Sequence, residues 1–163
     1  MNDTMKKTVL LISAGLVLGI FLTTLFAYRS APSMMLKEAE SSYDFETSVE
    51  VFEQTAEEMG WKIPTVHDMQ ATMDGFGKEV RSSKVFELCH PEHAYEILKL
   101  DDERIVSSMM PCRVAIYEKS DGKTYVSWMN TSLMGNMMGG VIADVMGIAS
   151  QESEKMIGAI VQE

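Results

Sequence analysis

The chain has 163 residues, 46% of them hydrophobic and 23% charged, with 24 acidic side chains against 14 basic ones. A chain of this composition folds, and its length allows one core of ordinary size plus an appendage. From position 30 onward 11 basic residues face 23 acidic ones, a net charge of about −12 that repels phosphate backbones and anionic headgroups; with no basic stripe or aromatic platform, nucleic acid is not an expected partner.

The apolar residues are unevenly spread. "TVLLISAGLVLGIFLTTLFAY", Thr8 to Tyr28, carries no charge, and its roughly 20 residues match the thickness of a bilayer. A cleaved signal peptide would have a shorter apolar region and a small-x-small cleavage site. Tyr28 and Arg29 in "LFAYRSAPSM" spoil that site, which favours an uncleaved anchor. A helix apolar on every face would otherwise need protein all round it, more than a domain this small supplies. Lys6 and Lys7 precede the run and Arg29 alone follows it closely, so the positive-inside tendency predicts a single pass through the cytoplasmic membrane. Residues 1–7 then lie in the cytoplasm, 8–28 span the bilayer, and the rest lies outside, in a periplasmic or extracellular space.

Residues 29–42 read as a juxtamembrane stalk, with helical character in "MMLKEAE", and 43–163 as the folded domain. Tyr43 and Phe45 alternate as in a short strand, and "TSVE" fits a capping box with Thr47 as N-cap and Glu50 reaching back. Val49, Phe52, Ala56 and Met59 recur at helical spacing, and Gly60 ends the helix. "WKIPTVHDMQATMDGFGKEVRSS" reads as a connection with a short helix from about Met69. "KVFELC", Lys84 to Cys89, is a predicted strand. Pro91 opens a helix that turns Ala94, Ile97 and Leu98 inward. A loop then leads to a strand in "CRVAIYEK", a hairpin turn at "SDG" and a strand in "KTYVSWM". The tail is helical, with Leu133, Met137, Val141, Val145 and Ile148 on one face, a break at Gly139 and Gly140, and a second break where Ser150 caps a last helix. This order predicts a two-layer α+β domain, with helices on one face of a mostly antiparallel sheet, preceded by one transmembrane helix.

"ELCHPEHAYEIL", "MPCRVAIYEKSDGKTYVSWMN" and "LMGNMMGGVIADVM", in that order, resemble the family known as domain of unknown function 302 (DUF302), over about Phe45 to Ile148. In that family a cysteine or asparagine ahead of a proline opens the middle helix, and a Pro-Cys-Arg triplet opens the first hairpin strand. Cys89 with Pro91, and Pro111 to Arg113, match both features. The resemblance implies a compact α+β fold and homodimers. It carries no established reaction, so function has to be argued from a site.

Cys89 and Cys112 are the two cysteines of the chain. Cys89 lies just before the N-cap His90, where helix amides and dipole favour a thiolate, and protonated His90 or His93 would add to that. In an oxidising compartment an even pair suggests a disulfide, structural or redox-active; two buried, inert thiols are the plain alternative. Antiparallel pairing of their strands would bring the sulfurs to one end of the sheet. A metal site from Cys89, His93, Cys112 and Met110, with His90 nearby, is a further alternative. It lacks the two close pairs usual for structural zinc. The 15 methionines, Met109, Met110, Met134, Met137 and Met138 among them, would suit Cu(I) or simply fill core gaps. Arg113 beside Cys112 either supplies positive charge to the thiol or forms a surface salt bridge. In the glycine and methionine helix, Gly135 and Gly139 would permit close helix approach.

No G-x-S-x-G elbow, phosphate loop, H-E-x-x-H or dinucleotide fingerprint is present. The expectation is a membrane-tethered binding or thiol-redox module, more a binder than an enzyme, with no cofactor required and with a small molecule or a redox protein as its partner. A thiol enzyme or sulfur-transfer protein using Cys89 is the alternative. A Cu(I), zinc or haem-type binder is the third.

Overall fold

The computed structural model describes residues 3–161, so Met1 and Asn2 of the predicted cytoplasmic segment lie outside the described residues. It divides into two units, Met1–Met34 and Met35–Glu163. The described residues of the first all belong to helix α1, Asp3–Met35, whose last residue falls in the second unit. Within α1 the stretch Lys7–Met35 contains an 18-residue window with a mean hydropathy of 2.5, none of it buried. This helix is long and apolar enough to span a membrane, as the charge-free run predicts.

The second unit is an α+β domain. Its strands are β1 (Leu36–Glu40), β2 (Lys62–Asp68), β3 (Ser83–Cys89), β4 (Cys112–Glu118) and β5 (Thr124–Met129). Among the described residues they form one five-stranded sheet in the order β1-β5-β4-β3-β2, with every neighbouring pair antiparallel. The helices are α2 (Phe45–Glu58), α3 (Met69–Asp74), α4 (Pro91–Leu98), α5 (Thr131–Met138) and α6 (Gly140–Gly158), with a 3-10 helix at Glu103–Met109.

Strand alternation decides the layers. Phe86 and Leu88 of β3, Val114 and Ile116 of β4 and Val126 of β5 point to one face. There they join Phe52 and Ala56 of α2 and Met156 and Ile157 of α6 in the main core. Phe52 meets Phe86 edge-on at 5.2 Å between ring centroids, a geometry worth about 0.5–1.5 kcal/mol beyond burial. The open face is polar: Tyr117 and Lys119 donate to Glu38, and Lys123 to Glu40.

Four local expectations are corrected. Leu36–Glu40, read as part of the stalk, is edge strand β1, paired residue for residue with β5. Its Lys and Glu residues have weak strand propensity, and the ladder, with the Tyr117 bond from β4 and the lysine pairs from the hairpin turn, overrides it. The N-cap of α2 is Asp44, whose carboxylate accepts from Thr47 N, so Thr47 is inside the helix and Phe45 opens it. Lys62–Asp68 is an outer strand instead of a connection; Pro64 sits where the β2–β3 register shifts, between Lys62 and Thr65, the irregular edge position at which proline is tolerated. Finally, α6 runs through Ser150 without a break, and Ser150 is buried.

The predicted tail stripe was also rotated. Val145 is buried, but Met137 and Ile148 are 82% and 47% exposed, and Ile142, Met146 and Ala149 face inward instead. On α4 Ile97 is buried while Leu98 is exposed. The break at Gly139 holds: its φ of +74° separates α5 from α6, a conformation that favours glycine. Gly135 lets the two helices touch, since a Cβ there would lie 2.7 Å from Met146 Cβ.

Candidate functional site

β3 ends at Cys89 and β4 begins at Cys112, so antiparallel pairing places both cysteines at one end of the sheet. α4 departs from the same end. His90 is its N-cap with backbone φ −102° and ψ 115°, and Pro91 occupies the first turn, where its missing N–H costs nothing. The chain returns to β4 through a cis Met110–Pro111 peptide.

Between these segments and α6 lies a cavity of about 390 Å³. Cys89, His90 and His93 border it from the β3–α4 junction, Met109, Met110 and Cys112 from the β4 approach, and Val145, Met146 and Ala149 from α6; Trp61 closes a further side. The lining is mostly apolar. Its polar groups are the imidazoles of His90 and His93, the thiols of Cys89 and Cys112, and the side chains of Glu87 and Ser107.

The imidazoles stack, with centroids 4.1 Å apart and planes 26° from parallel. Trp61 meets His90 and His93 edge-on at 5.5 and 5.9 Å. Glu152 of α6 completes the group: its Oε2 is 2.9 Å from His93 Nε2 and accepts from the Trp61 indole N–H at 3.0 Å. Burial pulls the Glu152 carboxyl up, but His93, with the Trp61 hydrogen bond and the charge of His90, outweighs it and holds the carboxyl below its ordinary range. His90 Nδ1 lies 3.3 Å from Glu92 Oε2, off hydrogen-bonding geometry, and is a buried nitrogen without a hydrogen-bond partner among the described residues.

Both cysteines are free and half-buried. The register sets Cys112 opposite Leu88, one residue short of Cys89, so by strand alternation their Cβ vectors leave opposite faces. They share the cavity rim without forming a bridge. Burial first, and the nearby Cys89 second, push the Cys112 thiol up from 9.0, which keeps it protonated and weakly nucleophilic at neutral pH.

Arg113 points the other way. It is 61% exposed and pairs with Glu87 Oε1 at 3.1 Å, a carboxylate that also meets His67 Nε2 at 3.1 Å. This is the surface salt bridge of the two readings. The His67 hydrogen bond, with help from Arg113 and against a burial effect, holds the Glu87 carboxyl low. Of the residues singled out from the sequence, the cavity gathers Cys89, His90, His93, Met109, Met110 and Cys112; Met134, Met137 and Met138 are not among its lining. Trp61 and Glu152 were missed. Trp61 follows the helix-ending Gly60 and is 3% exposed, a signal available from an aromatic held against a helix end. For Glu152, inside "QESEK", the sequence offers none.

The pattern that joins the Cys-His-Pro helix start to the Pro-Cys-Arg strand can be compared with known proteins. The family described as "Domain of unknown function DUF302" matches residues 37–162. The chain belongs to the DUF302 family. The match begins inside β1, so this strand is part of the DUF302 domain. A solved structure with the same architecture is the uncharacterized conserved DUF302 protein from Bacillus stearothermophilus, at a TM-score of 0.69 and 15% identity, covering 77% of this chain and 98% of that one. At that identity the likeness shows the DUF302 fold alone. No curated protein matches the chain.

Proposed function

We propose that this DUF302 chain is a membrane-tethered binding module whose domain lies outside the cytoplasm and takes a small, largely apolar molecule into the cavity at the end of the sheet. The observation that carries the reading is the cavity itself. About 390 Å³ of mainly apolar space, with two imidazoles and two thiols converging on it, has the size and lining of a small-molecule site. Helix α1 supplies the tether, and Lys6 and Lys7 ahead of it favour a cytoplasmic N-terminus. A homodimer, implied by the family, belongs to the same proposal and is read by light scattering in detergent.

Thiol chemistry at Cys89 is the second reading. It is favoured by the position of Cys89 on the cavity rim directly before the N-cap of α4, while burial keeps Cys112 protonated.

The test uses full-length protein extracted in mild detergent. Native mass spectrometry of protein from its own membrane should show a co-purifying small molecule, lost when Ala94→Trp fills the cavity. In a Trp128→Phe background Trp61 is the remaining tryptophan, and its fluorescence should respond to a panel of apolar amphiphiles. A panel that leaves that emission unchanged, together with no co-purifying mass, would overturn the binding reading. A C-terminal reporter active only in the cytoplasm would overturn the placement.

A further inference from the structure

We propose that His90, His93 and Glu152 form a binding site for one divalent transition-metal ion of the zinc class. One ligand atom from each of the three lies within 4.8 Å of the other two, and the closest contact, His93 Nε2 to Glu152 Oε2, is 2.9 Å. Ligand atoms that each sit about 2.0–2.2 Å from a tetrahedral zinc stand about 3.3–3.6 Å from one another. The three side chains therefore close on an ion by movements of about an ångström, within rotamer adjustment.

Two further features point the same way. The imidazoles stack at 4.1 Å with no hydrogen bond between them, an arrangement that leaves their ring nitrogens to other partners. One of those nitrogens, His90 Nδ1, is buried without a hydrogen-bond partner, where native structures rarely leave a polar atom unsatisfied. The surroundings supply an outer contact of the kind that orients metal ligands: the Trp61 N–H holds Glu152 Oε2 at 3.0 Å.

Two imidazoles and one carboxylate are a set that zinc uses where a coordination position stays open. Both histidines line the cavity, so a molecule held there reaches the ion. The set differs from the thiol and thioether ligands expected from the sequence. Among the described residues, neither Cys89 nor Cys112 belongs to the cluster. The ion takes the place of the proton shared by His93 and Glu152, and so binding releases protons and weakens as the pH falls.

The experiment uses the full-length chain in detergent, stripped with chelator. Zinc titrated by calorimetry should bind at one ion per chain, and affinity should fall about tenfold or more in Glu152→Gln and again at pH 5. Cobalt should give visible d–d bands without a near-ultraviolet thiolate charge-transfer band, a readout on the unsubstituted protein that needs no variant to fold. The Cys89→Ser, Cys112→Ser double variant should bind zinc as the parent does. No saturable zinc binding by the parent, a cobalt thiolate band, or zinc affinity lost with the thiols and kept in Glu152→Gln would each overturn the site. Failure here leaves the apolar-ligand reading standing, because that reading is judged by Trp61 emission and Ala94→Trp in chelator-treated protein.

Discussion

His93 Nε2 on α4 and Glu152 Oε2 on α6 lie 2.9 Å apart across 59 residues of chain. The contact joins two helices that otherwise meet at the cavity, and the Trp61 indole holds the same oxygen. Such a bond has a pH signature. Burial raises the Glu152 carboxyl, and His93 and Trp61 bring it to a net position below 4.5. A carboxyl lowered on folding stabilises fully above its unfolded pKa and loses that contribution as pH falls through the folded one. The parent should therefore melt above Glu152→Gln at pH 7, and the gap should narrow as pH drops below 4.5. A gap that stays constant from neutral pH to pH 3 would contradict this account of Glu152.

Gly135 and Met146 set the distance between α5 and α6. A methyl group at 135 would press on Met146 Cβ at 2.7 Å, with Ile142 O at 3.3 Å behind it. Neither is the free end of a flexible chain. Gly135→Ala should cost about 1–3 kcal/mol in urea unfolding, as overpacking of a close helix pair does. Gly147→Ala, on α6 with nothing within 4 Å of the added carbon, should be neutral or slightly stabilising through helix propensity.

The two thiols should stay separate. With Cys112 registered against Leu88, joining it to Cys89 needs backbone movement. After treatment with diamide, denatured and unreduced protein should still show two thiols by Ellman titration; a single disulfide-linked peptide pair in the digest would refute the register argument. Alkylation of Cys112 should be slow at pH 7 and should accelerate above 9.0, its ordinary value, because burial raises the thiol.

Arg113→Ala should leave both thiol reactivity and cavity binding unchanged. Its guanidinium is 61% exposed and turned to Glu87, and an exposed pair of this kind contributes at most about 1 kcal/mol. A change in Cys112 alkylation rate in this variant beyond about twofold would restore the role that its position beside the cysteine suggests.

What the sequence discloses depends on how local the cause is. The charge-free run, the stripe Val49-Phe52-Ala56, the His90 N-cap with Pro91 and the "SDG" hairpin each follow from a short window of residues, and the structure shows them all. β1 and β2 are different: "LKEAE" has charge alternation without β-branched residues, and "KIPTVHD" carries a proline, so both depend on partners distant in sequence. The site shows the same division. Cys89, His90 and His93 announce themselves by type and spacing, whereas Trp61 and Glu152 arrive from a helix end and from the middle of α6. Their place is decided only when α6 packs against α4. The tail stripe misled for a related reason: once α5 and α6 cross at Gly139, the two helices no longer share one face.

The strand that follows α1 directly also bears on where the chain can be cut. Leu36–Glu40 is hydrogen-bonded along its length to β5, and just beyond it Ser41 bridges to Val161 while Ser42 N donates to Ile160 O. A soluble fragment beginning at Met35 keeps this fastening. One beginning at Tyr43, the natural choice if the preceding residues were mere stalk, strips β5 of its outer neighbour and leaves an open ladder on which further copies can stack. The shorter fragment should form aggregates that the longer one does not, and efforts to prepare the domain without its apolar helix turn on those eight residues.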